Sequence, residues 1–248
     1  MLFEELTEIG HLSGLFGIIS ICTSLLLGTI VLYKAIESKQ RMLFLFFFTV
    51  IFTVSPWYPS GLSYIYWLIT GAELYYQFYV LLGTVFVPIA IHTWLLIYTT
   101  LLHRKKKNII LIIYGVLSIF FYIYLFYFLF FAPGAPIENM IGIKRNPIDI
   151  EYKGFIFVYL GFLILTAMAT GIEFSINSMK SDLIEVKWKG RFLIISFILF
   201  GIGAIADAVF ELSVISLVIF RVILLLSSIF FYIGFIMPNW IKKILGIE

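Results

Sequence analysis

Of the chain's 248 residues, 62% are hydrophobic and only 12% charged, with a formal net charge of +3. Soluble globular domains sit nearer ~45–50% apolar and ~25% charged, so this balance excludes an ordinary soluble enzyme and predicts an all-α, polytopic membrane protein. The positive residues fall in short clusters beside apolar runs, so no nucleic-acid partner is expected; the lone cysteine, Cys22, lies in an apolar segment and offers neither an internal disulfide nor a thiolate metal site.

The N-terminus carries Glu4, Glu5 and Glu8 ahead of the first apolar run, which is the opposite of a signal peptide's positive start. A first span is predicted over residues 12–33. A second starts near Met42 and breaks in SPWYPSG, where Pro56, Pro59 and Gly61 interrupt a regular helix. Residues 62–70 are too short to cross a bilayer alone, since a span needs about 20 residues. They either continue the second helix past a kink or lie along the outer interface.

The third span is predicted over residues 73–102, bent at Pro88, and the fourth, rich in aromatic residues, over 109–131. The polar stretch 132–153 is the longest loop, and the alternation in IDIEY suits a short strand. Spans five to seven are expected over 154–177, 192–212 and 214–237. Together they make one seven-helix transmembrane domain over residues 1–248.

Charge sets the expected orientation. Lys34, Lys39, Arg41, the run Arg104 to Lys107, Lys180, Lys187, Lys189, Arg191, Lys242 and Lys243 all share one side; the other has only Lys144, Arg145 and Lys153. By the positive-inside rule the N-terminus lies outside and the C-terminus inside, in the cell membrane. Contact of the basic clusters with anionic membrane lipids follows from the same placement.

Ionisable residues inside apolar spans are costly and stand out as candidate sites. Asp207 and Arg221 flank the turn between the last two spans and are expected at matched depth, paired across neighbouring antiparallel helices. Such a pair either fixes helix packing or forms a ligand-binding or switching site; Glu211, nearer the turn, competes for Arg221. His92, mid-span and four residues after Pro88, is expected to bond a carbonyl freed by the proline or to line a cavity. Glu173 is expected to pair with Lys189 or Arg191 as a structural charge. Glu73 and Gln77, among Trp57, Tyr58, Tyr75, Tyr76 and Tyr79, outline an outward-facing pocket for a cation or amphipathic molecule. GIGAIADA, residues 201–208, formally matches a dinucleotide fingerprint, but inside an apolar span its small residues serve close helix packing.

The C-terminal third reads KWKGRF, GIGAIADAVF, then FRVILLLSSIFFYIGFIMPNW running into Lys242 and Lys243. With the helix number, the orientation and the longer loop before the fifth span, it resembles the seven-helix sensor region at the N-terminus of some prokaryotic histidine kinases and related archaeal membrane proteins. The resemblance implies a receptor-like or sensor-like protein that binds a small or amphipathic ligand from outside. No kinase domain follows Glu248 in this sequence, so signal transduction would require a separate partner at the cytoplasmic face. No cofactor or metal is expected, and retinal is excluded because the last helix has Arg221 but no lysine for it. Two other readings stand: a transporter or channel using Asp207 and Arg221 for coupling or gating, and, ranked last, a lipid-modifying membrane enzyme built on Asp207, Glu211 and His92.

Overall fold

In the computed structural model, which describes residues 6–132, 137–210 and 213–247, seven helices are long and apolar enough to cross a membrane. Helix α1 (Glu8–Ser38) starts at Thr7, whose hydroxyl accepts the Gly10 N–H at 3.2 Å. Its buried face is mostly small: Gly10, Ser13, Gly14, Gly17, Ser24, Gly28 and Ala35, with Val31. Small residues let helix backbones approach closely, and the partner is the second span, Gly28 meeting its near half at Ile51 and Gly17 its far half at Gly61.

That span runs through α2 (Arg41–Thr53), a 3₁₀ turn over Ser55–Trp57, and α3 (Tyr58–Thr70). Residues 62–70 therefore extend the second helix past a proline-rich bend, which decides between the two expectations for that segment. Gly17 and Gly61 drive this packing: a Cβ on Gly17 would lie 2.4 Å from the Gly61 nitrogen. The Tyr58 hydroxyl secures the bend by donating to the Ile51 carbonyl at 2.6 Å.

The third span is α4 (Tyr76–Thr84) followed by α5 (Val87–Leu101). The break falls just ahead of Pro88, and the Val85 carbonyl there accepts the Tyr122 hydroxyl at 2.7 Å. Glu73 precedes this span instead of opening it. Helix α6 (Lys107–Phe126) ends in a π-helical turn over Tyr127–Phe131, and much of its aromatic and aliphatic surface is exposed.

A short helix α7 (Ile137–Met140) leads into an antiparallel hairpin of β1 (Gly142–Asn146) and β2 (Asp149–Tyr152). The strand expected from IDIEY is β2. Asn146 turns the hairpin by accepting the Ile148 N–H on its side-chain oxygen at 2.9 Å. Ile148 is fully buried against Leu6 and Tyr64. Tyr76 and Tyr79 donate to the Gly142 and Ile148 carbonyls at 2.7 and 2.8 Å. The hairpin is thus pressed into one end of the bundle.

Helices α8 (Gly154–Met179), α9 (Ile184–Val209) and α10 (Val214–Ile236) pack side by side, and α11 (Asn239–Leu245) closes the chain. Helix α9 begins eight residues earlier than expected, so Lys187, Lys189 and Arg191 sit on helix and not in a loop. Gly201 and Gly203 of GIGAIADA face Met168 and Leu224, with room for nothing larger, so the segment serves packing. Ser196 and Ser227 exchange hydroxyl-to-carbonyl bonds of 2.7 and 3.1 Å between α9 and α10, a buried polar clamp in an otherwise apolar seam.

Candidate functional site

The last two long helices carry the site. Asp207 lies two residues before the end of α9, and Arg221 lies seven residues past the start of α10. At 1.5 Å per residue these are depths of about 3 and about 10 Å, so the backbones are not matched as expected. Side chains lean toward the N-terminus of their own helix. In this antiparallel pair Asp207 leans away from the turn and Arg221 toward it, which closes the gap.

The result is an ion pair: Arg221 Nε lies 3.1 Å from Asp207 Oδ1, with side-chain exposures of 3% and 13%. The distance is that of an ion pair, but the N–H is not aimed at the oxygen. Among the described residues, Arg221 Nε, Arg221 Nη1 and Asp207 Oδ1 consequently have no hydrogen-bond partner. Asp207 is held instead through its other oxygen, which accepts the Trp57 indole N–H at 2.9 Å. The Arg221 guanidinium also lies 5.9 Å from the Trp57 ring centroid, within cation–π range. Trp57 comes from the 3₁₀ turn in the second span, so the proline-rich bend is what carries an indole into the last helix pair.

These residues form the polar end of a cavity of about 390 Å³, near the lower end of the ~300–1,000 Å³ usual for small-molecule sites. The hairpin roofs it, bringing in Asp149 and Tyr152, while Tyr79 and Ser60 complete the polar end. Away from it the lining is mostly apolar, with Ser24, Thr49 and Ser228 among the polar exceptions, running past Leu224, Trp94 and Phe197 to Val31, Phe46 and Tyr232. Phe157, Leu165 and Val209 line the cavity and are also exposed on the outer surface of the bundle. The lining thus includes residues of α8 and α9 that also lie on the outer surface of the bundle. A Cβ on Gly161, another lining residue, would meet nothing within 4 Å.

Asp149 is the carboxylate that the sequence did not single out. Burial pushes its carboxyl above the ordinary value; the Arg221 charge opposes the shift and the Asp207 charge adds to it. Burial likewise raises the Tyr152 phenol, whose oxygen is enclosed without a partner beside Gly83. Glu151, on the same strand, behaves differently. Its pKa is lowered: slight burial opposes this, but Lys153 at 3.3 Å and Arg145 at 3.4 Å prevail.

Other predicted site residues lie elsewhere. Glu211 falls outside the described residues. Glu73 is exposed and paired with Lys144 at 2.8 Å, and Gln77 is exposed; neither lines the cavity. His92 approaches the Pro88 carbonyl through Nδ1 at 3.1 Å and the Leu111 carbonyl through Nε2 at 3.4 Å. It faces α6 and does not join Asp207. Glu173 bonds the Tyr98 hydroxyl and His103 Nε2, the latter at 2.8 Å, and does not pair with Lys189 or Arg191. The early start of α9 explains this correction: Lys189 pairs with Glu185 one turn before it at 2.8 Å, and Arg191 stacks over Trp188 at 4.4 Å.

Asp149 and Trp57 were missed for different reasons. Strand alternation puts Asp149 on the same polar face as Glu151, and nothing local distinguishes the carboxyl beside Arg221 and Asp207 from the one paired with Lys153 and Arg145. The sequence groups Trp57 with the aromatic residues around Glu73 and Gln77, not with Asp207. The only signal for Trp57 was an indole N–H beside two prolines, in a segment that needed a partner. No protein-family model matches the chain, and no curated protein and no solved structure matches it.

Proposed function

We propose that this is a receptor-like or sensor-like seven-helix protein of the cell membrane, whose central cavity takes a small or amphipathic ligand. The observation that carries this reading is the Asp207–Arg221 pair, buried yet incompletely hydrogen-bonded, at one end of a cavity that is otherwise mostly apolar. A buried pair with unused donors and acceptor is a poor stability device, because desolvation offsets most of the Coulomb gain. It is a good switch. A ligand that uses the free N–H groups of Arg221 competes with Asp207 and shifts the contacts between α9 and α10. Only such a difference between two states lets a ligand move an equilibrium.

Seven long apolar helices support membrane insertion, and the basic clusters support an inside C-terminus. The hairpin then faces outside, above the cavity, and the output passes to a separate partner at the cytoplasmic face. The resemblance to the sensor regions of prokaryotic histidine kinases is consistent with this role.

A thermal-shift scan of metabolites and lipids on the purified chain and on Arg221→Ala tests the reading. Ligands of this site raise the Tm of the wild-type chain and leave the variant unmoved. Compounds that stabilise both equally remove the site from consideration.

A further inference from the structure

We propose that the occupant of this cavity is a single-chain carboxylic acid of about twelve carbons, its head at Arg221 and its tail along the mostly apolar shaft. The proposal rests on the ligand-binding reading above and specifies the chemistry.

The head follows from the unmatched groups. At the polar end the enclosed side-chain atoms without partners among the described residues are Arg221 Nε and Nη1, Tyr152 Oη and Asp207 Oδ1. Arg221 presents only donors, the Tyr152 hydroxyl can donate or accept, and Asp207 presents an acceptor. A head with two acceptor oxygens in one plane matches a guanidinium edge. An ammonium head would leave the arginine donors unused and bring a second cation beside Arg221.

The tail follows from the shaft. Along α10 the lining runs from Arg221 to Tyr232, eleven residues or about 16 Å of helix. An extended alkyl chain of ~1.5 Å tetrahedral bonds covers that length in about twelve carbons. At about 390 Å³ the space accommodates one such chain. Entry from the bilayer, without passing the hairpin, is assigned to the side of α8 and α9 beside Gly161, where lining residues also lie on the outer surface.

The test uses the full chain in phosphatidylcholine nanodiscs with radiolabelled dodecanoate, competed by dodecanol, dodecylamine and hexanoate. One saturable site is expected, with dodecanoate at least tenfold tighter than dodecanol or dodecylamine. Affinity should fall about fourfold per methylene removed. Asp207→Asn/Arg221→Gln removes both charges of the pair together and should abolish the preference for acid over alcohol. Gly161→Phe fills open space at this entry side and should cost both probes tenfold or more, whereas simple partition into lipid would be unchanged. Equal competition by the alcohol or the amine overturns the carboxylate head. An absence of saturable dodecanoate binding, while a compact solute shifts the Tm of the wild type but not of Arg221→Ala, overturns the chain and spares the cavity reading. If no compound of either kind binds, both fall.

Discussion

The Trp57 indole donates to Asp207 Oδ2 at 2.9 Å across 150 residues of sequence. This one bond joins the proline-rich bend of the second span to the last helix pair. It holds the aspartate by one oxygen while the other faces Arg221. Trp57, Asp207 and Arg221 are therefore a three-residue arrangement within the polar end of the cavity, in which the neutral donor fixes the position of the charged pair.

Removing one charge should be far more damaging than removing both. Asp207→Leu leaves Arg221 buried and unpaired, at a cost of about 3–5 kcal/mol. Asp207→Leu with Arg221→Met replaces the pair by apolar side chains and should recover most of that loss. Equilibrium unfolding of the three chains checks it, and a double variant no more stable than the single one would contradict the proposed pairing.

Trp57→Phe keeps a ring and removes only the donor. The expected loss is about 1–3 kcal/mol, the cost of leaving a buried carboxylate oxygen unmatched. In the Asp207→Leu background the same change should cost clearly less. Equal effects in both backgrounds, measured as a double-mutant cycle, would mean that the indole acts through packing alone.

Gly61 meets the α1 backbone at 2.8 Å from where a Cβ would sit. Gly61→Ala should push α1 and α3 apart and lower stability by about 1–3 kcal/mol, as overpacking does. Gly161→Ala, where the space is open, should be neutral or slightly stabilising. Paired thermal melts in detergent distinguish the two sites.

Asp149 gives a pH dependence of defined sign. Its folded-state pKa is raised above the ordinary value of 3.8, so the native state holds this proton more tightly than the unfolded chain. The stabilisation from this group is fully present below the ordinary value and is lost as pH rises through the folded-state value. Asp149→Asn should flatten that part of the profile. Tm measured from acid to neutral pH for both chains reads the slope, and parallel profiles would show that Asp149 is not enclosed as described.

Much of this architecture was legible because apolar run length and charge placement act locally. A run of about 20 apolar residues has few alternatives to a long helix, and the seven spans were recognised to within a turn or two. The exception was α9, which starts at Ile184. Its first turns are amphipathic, with Glu185 paired to Lys189 and Lys242, and polar residues at a helix end look like loop. The Asp207–Arg221 pair was also legible, since two opposite charges near one short turn have little choice of partner.

What the sequence by itself determined, then, is the helix inventory and the one charged pair that its own connectivity brings together. Tertiary structure alone decided that Trp57 and Asp149 join that pair, that His92, Glu73 and Gln77 do not, and that a shaft lies beneath it. The physical reason is range. Periodicity and hydropathy record what each residue's immediate neighbours require, whereas the Trp57–Asp207 bond and the hairpin roof depend on Gly17 meeting Gly61 and on Ile148 being driven into the bundle end. Those contacts arise only when distant segments compete to bury the same surface.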